Sequence, residues 1–424
     1  MSTPNKAAKR KELRRATTLN GDGLSLARKG DFNGAIVKFQ EAVGIKERIL
    51  GEKHPEVGAL LNNIAVTLKD MGQYEQSAEL YRRTLEVWEE TYGVNDIILS
   101  VVLNNLAALL SELGQYEAAL AHYQRSLTIK EENLPEGHAG IANAHNNIAD
   151  VLFKFGLLDE AEPRYRAALT TQLQAVGGNH PDVATIRNNL ASVYEALGRY
   201  QEAEDLLQQA LETDKEMLDP THPNLANDLL NLGYVQHMQG KLKEAEASYS
   251  QSLEITEQVQ GREHANYNST LVCIASLYAD TGRREEALVL YTQASTALKD
   301  SLGGEHPMVA QALNNLAALK YAEGHHAEAE GLFQRCVEIE EAVLGSDSVH
   351  IASSYSNLAA SRFQLGRYGE AKPLFEHALA LQVSVYGEEH PLTENTCEWL
   401  MGYPQEEVEG EAKEAKTTEG EEGT

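Results

Sequence analysis

A glycine recurs every 42 residues over most of the chain, with no insertion or deletion between any two copies. The nine copies are Gly30, Gly72, Gly114, Gly156, Gly198, Gly240, Gly282, Gly324 and Gly366. A period of this length indicates one supersecondary unit repeated in tandem, as in solenoid proteins. Because each repeat of a solenoid packs only against its neighbours, the 424 residues need not divide into the globular domains that this length would otherwise suggest.

Each repeat contains two predicted amphipathic helices. In the second repeat Leu61, Ile64 and Leu68 recur at i, i+3 and i+7, which is the spacing of one helical face and predicts a first helix, called helix A. Gly72 follows as its C′ residue, where glycine readily adopts a positive φ. The segment QYEQSAELYRRTLEVWEETYG then predicts a second helix, helix B, which ends at Gly93.

Small residues recur where helices A and B must approach closely, and large residues recur one turn later on helix B. The small residues of helix A are Ala65, Ala107, Ala149, Ala191, Gly233, Ala275, Ala317 and Ala359. Those of helix B are Ser77, Ala119, Ala161, Ala203, Ala245, Ala287, Ala329 and Ala371. The large residues are Tyr81, Tyr123, Tyr165, Leu207, Tyr249, Tyr291, Phe333 and Phe375. This alternation allows antiparallel helices to interdigitate. The sequence therefore predicts an all-α fold, a right-handed superhelical α-solenoid with about 19 helices, mostly of roughly 14 to 17 residues.

The repeats divide the chain into four predicted parts. They are a basic N-terminal tail over 1–18, nine tandem repeats over 19–389, a C-terminal capping helix over 390–402 and an acidic disordered tail over 403–424. Atypical first and last repeats are expected, because the ends of a solenoid must present a polar face to water. The acidic tail has almost nothing to bury. The basic tail fits a localisation signal, a docking arm or a solvated lead into the first helix.

The chain is strongly acidic, with a formal net charge of −28 at pH 7. Residues 1–15 carry six Lys or Arg and one Glu, whereas residues 404–424 carry eight Glu and two Lys, so most of the negative charge lies on the repeats. Such a surface repels phosphate backbones, and we expect no nucleic-acid binding through the repeats. No apolar run approaches the roughly 18 residues of a membrane span and no secretory signal is evident, so no membrane insertion is expected.

The three cysteines and the recurrent histidines have structural explanations. Cys273, Cys336 and Cys397 form no close pair, which favours a reduced cytoplasmic protein with no disulfide and no zinc site. One register of the repeat holds His54, His138, His180, His222, His264, His306 and His390. The same register holds Asp96 and Ser348 in two repeats, and five of the nine positions precede proline. Since Asp and Ser are strong N-cap residues and proline favours the first helical position, this register predicts the start of helix A and no metal site.

The pattern of small, glycine and aromatic positions is that of tetratricopeptide repeats. Ala65 is followed by Gly72 after seven residues, Ser77 after five more and Tyr81 after four more, and the same spacing recurs in each repeat. The 42-residue length and the phrase HP…LNNLA…LGQYEAA…YQRSL…LG resemble the repeats of kinesin light chains and nephrocystin-3, over residues 19 to about 402. Kinesin light chains carry a long heptad coiled coil ahead of their repeats, and only about 18 residues precede the first repeat here, so a motor subunit is not implied.

Asparagines recur on the side of helix A opposite its apolar stripe. The positions are Asn62, Asn63, Asn104, Asn105, Asn146, Asn147, Asn188, Asn189, Asn231, Asn314, Asn315 and Asn357. In tetratricopeptide arrays this side lines a concave groove, and in the resembling families the asparagine holds the backbone of a cargo peptide. An amide has two donors and an acceptor, so it can pair with peptide backbone of any sequence. Alternatively, the asparagines bond to neighbouring helices and fix the geometry of the array.

The sequence can be weighed against three classes of function: an enzyme, a binding scaffold and a structural component. An enzyme is not expected, because the sequence has no GxxxxGK[ST], HExxH or GxSxG motif and no cofactor site. The resemblance implies a non-catalytic scaffold or adaptor that binds extended segments of other proteins. The alternative is a structural component of a cytoskeletal or ciliary assembly that binds through the convex face or the tails. The groove carries Lys69 and Lys154 against Asp70, Glu112, Asp150, Glu195 and Asp280, so we expect it to be slightly acidic. A cytoplasmic location is expected, and the sequence indicates no oligomeric state.

Overall fold

The computed structural model describes residues 6–388 and 391–402. Within these ranges the protein has 19 α-helices, one 3-10 helix and no strand, and 83% of the residues are helical. The predicted all-α class, a solenoid of tandem helix pairs, is confirmed. No helix in the described part of the chain combines the length and the apolar character needed to cross a membrane.

The chain divides into two compact units, 1–217 and 218–424. The helices of the N-terminal unit are α1 (Lys6–Arg28), α2 (Phe32–Leu50), α3 (Pro55–Asp70), α4 (Tyr74–Tyr92), α5 (Leu99–Glu112), α6 (Tyr116–Asn133), α7 (Ala139–Lys154), α8 (Leu158–Val176), α9 (Pro181–Ala196) and α10 (Tyr200–Met217). Those of the C-terminal unit are α11 (Pro223–Met238), α12 (Leu242–Gln260), α13 (Ala265–Asp280), α14 (Arg284–Leu302), α15 (Pro307–Ala322), α16 (His326–Leu344), a 3-10 helix (Val349–Ile351), α17 (Ala352–Gln364), α18 (Tyr368–Tyr386) and α19 (Pro391–Met401).

Odd-numbered helices α1 to α17 are helices A, and even-numbered helices are helices B. Within each compact unit, each helix packs against the next along the chain. The predicted length of 14 to 17 residues is correct for most helices A but wrong for helices B, which have 18 or 19 residues. Helix B is longer because in most repeats it continues to a second series of glycines. At Gly93, for example, φ is 89° and the backbone N–H donates to the carbonyl of Glu89.

The turn between helices A and B depends on the first glycine series. Gly72 has a φ of 74°, and the eight other glycines of the series also have positive φ. The N–H of Gly72 donates to the carbonyl of Lys69, and the N–H of Gln73 donates to that of Leu68 at 2.9 Å. These bonds satisfy the last carbonyls of helix A and reverse the chain, as the sequence predicts.

Histidine begins helix A in six repeats, as predicted. The Nδ1 atom of His54 accepts a hydrogen bond from the backbone N–H two residues later, and five other histidines do the same. Asp96 accepts an equivalent bond from the N–H of Ile98. The prediction is wrong at Ser348, whose side chain makes no capping bond, because a 3-10 turn precedes α17 there. His390 lies outside the described residues.

Small residues admit the large ones as predicted. In helix α11 a Cβ atom added to Gly233 would lie 2.6 Å from the ring of Tyr249, so only glycine leaves room for that ring. Tyr249 is fully buried. The hydroxyl of Ser77 donates to the carbonyl of Ala65 at 2.7 Å, which holds helix B close to helix A. Close packing of this kind positions the opposite side of helix A toward solvent.

The two ends of the repeat array are helices α1 and α19. Helix α1 begins at Lys6, so residues 6–18, which were assigned to a tail, belong to the first helix A. The helix starts earlier because Ala16 is buried there. The last helix, α19, packs its Trp399 ring on Phe375 at 5.6 Å between centroids, as a capping helix would. Residues 1–5 and the acidic segment 403–424 lie outside the described residues.

Candidate partner-binding surface

One side of the helices A carries the predicted site residues, and we call it the helix A face. In the N-terminal unit it comprises the exposed Ala59, Val101, Asn143 and Thr185, the half-buried asparagine pairs one turn later, and the half-buried Val66, Ala108, Asp150 and Ser192 after those. The first and last of these groups consist largely of small residues. A partner could therefore approach the asparagine amides closely.

Most of the asparagines form rungs between consecutive helices A. The amide nitrogen Nδ2 of Asn105 donates to Oδ1 of Asn62 at 3.2 Å, and that of Asn189 donates to Asn146 at 3.0 Å. In the C-terminal unit Asn357 donates to Asn314 at 3.1 Å. Each rung joins residues 43 apart, so the second asparagine of one repeat bonds to the first of the preceding repeat. At these rungs the asparagines therefore bond to neighbouring helices, which is the structural alternative stated from the sequence.

One rung residue was missed by the sequence analysis. Asn63 donates to Oδ1 of Asn20 in helix α1, at 2.9 Å. The signal was available, because Asn20 precedes Asn62 by one period of 42 residues. It was overlooked because the first repeat is glycine-rich and shorter at its front.

Three of the predicted asparagines, Asn104, Asn147 and Asn315, make no rung within the described residues. The 43-residue spacing would pair Asn104 with Asn147, but the Oδ1 atom of Asn104 is buried without a hydrogen-bond partner. Asn147 is half-buried and makes no hydrogen bond within the described residues. Asn315 cannot form a rung, because the residue 43 positions before it is Val272, which has no side-chain amide. Asn188 holds the first asparagine position on α9 and Asn231 the second on α11, and the two helices belong to different compact units.

The charged residues of the helix A face largely neutralise each other. Lys69 forms an ion pair with Glu112 at 3.1 Å, across the same 43-residue spacing as the rungs. Lys154 pairs with Asp150 at 2.8 Å. In the C-terminal unit His237 lies 2.9 Å from Asp280. Both lysines that the sequence analysis identified are thus occupied by carboxylates of the same face.

Glu195 remains on α9 as a carboxyl with no cation partner in the described part of the chain. It is half-buried. Burial raises the pKa of its carboxyl from the ordinary value to about 7. Asp70, at the end of α3, is exposed and also unpaired within the described residues. In the N-terminal unit the helix A face thus keeps unpaired carboxyl groups at Asp70 and Glu195, while its two lysines are paired.

The side of the helices B offers a second type of surface. In the C-terminal unit a groove of about 570 Å³ lies between α12, α13 and α14. Leu253, Ile274 and Tyr278 line it, and Val289 stands at its edge with 64% of its surface exposed. Among the described residues no group of three or more His, Cys, Asp or Glu side chains is arranged to hold a metal ion.

Tandem antiparallel helix pairs, closed by a positive-φ glycine and open along the helix A face, define the chain as a helical repeat protein. Tetratricopeptide-repeat models match residues 14–83, 56–132, 140–216, 266–342 and 350–396, and a second such model matches 229–266. The chain belongs to the tetratricopeptide-repeat family. The resemblance stated from the sequence is thus confirmed.

Several solved structures are similar to this chain at low sequence identity. BtubC (BKLC) from P. vanneervenii is 22% identical, with a TM-score of 0.46, over 60% of this chain and 93% of that chain. A Podosopora anserina protein with nearly identical TPR-like repeats, provisionally assigned to the kinesin light chains, is 22% identical, with a TM-score of 0.43, over 47% and 94%. A Rap protein complexed with Competence and Sporulation Factor is 13% identical, with a TM-score of 0.53, over 88% and 99%. No curated protein matches the sequence.

Proposed function

We propose that the protein is a non-catalytic scaffold that binds extended segments of other proteins along the helix A face. The observation that carries the proposal is the pair Asn104 and Asn147, which occupies a rung position but forms no rung. Within the described residues Asn104 Oδ1 has no hydrogen-bond partner and Asn147 makes no hydrogen bond, and largely small residues flank both positions along their helices. Such amides suit a ligand that brings its own N–H and C=O groups.

The spacing of the repeats also suits an extended chain. Packed helices lie about 8 to 10 Å apart, and an extended chain advances about 3.3 Å per residue. A segment running across successive helices A would therefore bring about every third residue to an asparagine position. The unused amide of Asn147 could pair with one such residue, and other repeats would contact the segment through small and polar side chains. Binding of this kind tolerates many sequences.

The charges of the face favour a neutral or basic segment. Lys69 and Lys154 are paired internally, so they offer no free cation to an acidic segment. Asp70 adds a negative charge, and Glu195, whose pKa is raised to about 7, adds a partial one at neutral pH. A segment rich in Asp and Glu would be repelled, whereas Lys or Arg would be attracted. Among proteins of this fold, the Rap structure contains a bound factor, Competence and Sporulation Factor. That complex supports the general idea of a bound partner but transfers no residue role.

The test compares two double substitutions exactly one repeat apart. Asn104→Ala with Asn147→Ala removes the pair that forms no rung, and Asn146→Ala with Asn189→Ala removes a rung at the same helical positions. The probe is a set of fluorescein-labelled 12-residue peptides selected from a random library for binding to the unmodified chain. Affinity is measured by fluorescence anisotropy and thermal unfolding by circular dichroism on the same preparations.

We expect the first variant to lose about tenfold or more in affinity, because each lost amide contact costs on the order of 1 kcal/mol, and to melt like the unmodified chain. The melting temperature of the Asn146 and Asn189 variant should be lower than that of the unmodified chain. If the Asn104 and Asn147 variant binds the peptides as well as the unmodified chain, the helix A face is not the site. The selected peptides should also be neutral or basic.

The alternative function is a structural component of a cytoskeletal or ciliary assembly that binds through the helices B. The apolar groove beside the exposed Val289 favours it. The position equivalent to Val289 in the second repeat is Glu79, so Val289→Glu is a substitution that the repeat already accommodates. Loss of partner binding in this variant, with unchanged binding in the Asn104 and Asn147 variant, would favour the alternative.

A further inference from the structure

Helix α14 of the C-terminal unit has an outer side without charged residues. The segment 287–298, ALVLYTQASTAL, contains no Asp, Glu, Lys or Arg, although 24% of the residues of the whole chain are charged. Val289 projects from it with 64% of its surface exposed. Thr292, Gln293 and Thr296 are exposed beside it. Water can therefore be removed from this side of the helix without desolvating a charge.

Val289 lines two grooves beside α14. The groove of about 570 Å³ that it shares with Leu253 and Ile274 lies between α12, α13 and α14. A second groove, of about 700 Å³, is lined by Val289, Thr296 and Ala297. A projecting side chain next to open grooves is the kind of surface that interdigitates with another helix.

Charges of opposite sign stand at the two ends of the uncharged segment. Glu285 precedes Thr292 by seven residues and Lys299 follows it by seven. Seven residues make about two turns, so the three side chains lie on one side of the helix. Glu285 and Lys299 are exposed and form no ion pair in the described part of the chain. The neighbouring Glu286, by contrast, is neutralised by Arg283 at 2.6 Å.

These charges are complementary to themselves when a second α14 runs antiparallel to the first. With a twofold axis at Thr292, Glu285 of each copy lies level with Lys299 of the other, because both are seven residues from the axis. Arg284 then lies level with Asp300 of the other copy in the same way. A parallel pairing would place Glu285 level with Glu285 and Lys299 level with Lys299, and the like charges would repel each other.

The same register brings an apolar side chain to a groove. Val289 lies three residues before the axis, so in the other copy it is level with a point three residues after the axis. That point lies beside Thr296 and Ala297, which line the second groove. Val289 of each copy would therefore enter the groove of the other, and the two contacts are equal by symmetry.

Two other helices B lack this self-complementarity. On α4 the equivalent end residues are Glu75 and Glu89, which would repel each other in an antiparallel pairing. On α12 they are Lys243 and Glu257, of opposite sign, but Glu257 already pairs with Arg262 at 2.7 Å. The arrangement on α14 is therefore not a general consequence of the repeat.

We propose that two copies of the chain associate through an antiparallel pairing of their α14 helices. The formal net charge of −28 opposes contact between two copies over most of their surface, which favours an interface at an uncharged patch with complementary ends. The second copy covers Val289 and both of its grooves. The contact lies on the helices B, so it goes beyond the proposed peptide binding on the helix A face and fails independently of it.

The first test is sedimentation velocity of the full chain over roughly 1 to 200 µM, a range in which mass action reveals weak dimers. The unmodified chain should pass from a monomer of 46.6 kDa toward a dimer as its concentration rises. Val289→Glu puts an unpaired carboxylate into the contact and should weaken the association at least about tenfold. The matched control is Val37→Glu, the same change at an exposed valine of equivalent position on α2, which should leave the association unchanged. Circular dichroism verifies that both variants are folded.

The second test is a charge swap that reads the register. Glu285→Lys alone places lysines opposite each other, and Lys299→Glu alone places glutamates opposite each other. Each single variant should associate about fivefold or more weakly than the unmodified chain. An equimolar mixture of the two single variants restores both opposite-charge contacts in a heterodimer. The mixture should therefore associate to within about twofold of the unmodified chain.

Three outcomes would overturn the proposal. The chain could remain monomeric at roughly 200 µM, with or without Val289-dependent binding of a synthetic amphipathic helix of Leu and Lys, and such binding would assign the surface to a foreign helix. A dimer could persist unchanged in Val289→Glu, which would place the interface elsewhere. The mixture of charge variants could also associate no more tightly than either variant alone, which would contradict the antiparallel pairing.

Discussion

Replacement of Asn357 by alanine should destabilise the C-terminal unit, whereas the same change at Asn315 should not. The two residues occupy the same helical position in consecutive repeats, 42 residues apart. Asn357 donates to Oδ1 of Asn314 at 3.1 Å, whereas Asn315 has Val272 at the corresponding position and makes no hydrogen bond within the described residues. Asn357 and Asn315 therefore differ mainly in that Asn357 forms a rung and Asn315 does not.

The expected magnitude follows from three contributions. Loss of the hydrogen bond costs about 0.5 to 1.5 kcal/mol, and the unpaired acceptor of Asn314 adds about 1 kcal/mol, less than the full penalty because the site is half-buried. Replacement of asparagine by alanine within a helix returns roughly 0.5 kcal/mol in helix propensity. Asn357→Ala should therefore lower the free energy of unfolding by about 1 to 2 kcal/mol. Asn315→Ala should leave it unchanged or raise it by roughly 0.5 kcal/mol.

The assay is urea unfolding of the full chain followed by circular dichroism, with hydrogen exchange of α17 read by mass spectrometry. Because a repeat array need not unfold in one step, the hydrogen exchange locates the loss. Faster exchange in α17 of the Asn357 variant, and not in α15 of the Asn315 variant, is expected. Equal destabilisation by the two substitutions would refute the reasoning, because the rung would then contribute nothing measurable.

Four further predictions concern packing, pH and thiol reactivity. Gly233→Ala should destabilise the chain by about 1 to 2 kcal/mol in urea unfolding, because the added methyl group collides with the Tyr249 ring; a more stable variant would contradict this packing. Glu195 has a raised pKa of about 7, so stability should fall as pH rises from about 4.5 to 7, and Glu195→Gln should be more stable by about 1 to 3 kcal/mol above pH 7 and equal below pH 4.5. An identical pH profile of the two proteins would show that the carboxyl is not desolvated. Burial raises the pKa of the Cys336 thiol to about 12, so Cys336 should react with iodoacetamide far more slowly than the other two cysteines, as peptide mapping would reveal. Trp399→Ala should expose Phe375, destabilise the last repeat by about 2 kcal/mol and promote aggregation in light scattering; a variant that stays monomeric and melts normally would show that α19 is not a cap.

Structural features that depend only on residues of the same repeat could be predicted from the sequence. The positive φ of Gly72 and the capping role of His54 depend on a few neighbouring residues, and both agree with the structure. The small-to-large packing of Gly233 against Tyr249 was predictable for the same reason. Ser348 was an exception, because the 3-10 turn after it changed the start of α17.

Features that depend on how repeats are placed beside each other could not be predicted. The sequence located the asparagines, but whether Asn105 meets Asn62 depends on the stagger of adjacent helices A. The same stagger decides that Lys69 meets Glu112. The sequence therefore did not reveal that the charge of Lys69 is neutralised by an ion pair. The start of α1 at Lys6 was also missed, since a run of basic residues is compatible with a helix or a tail.

The central claim, that an extended partner lies along the helix A face, is tested most directly by site-specific photo-cross-linking. Benzoylphenylalanine is placed at Asn143, an exposed residue of the face one turn before Asn147, or at Thr170, an exposed residue of helix B in the same repeat. The probes are the 12-residue peptides selected for binding to the unmodified chain. The account predicts efficient cross-linking from position 143 and little from position 170. Cross-linking from position 170 alone would contradict it and place the partner on the helices B.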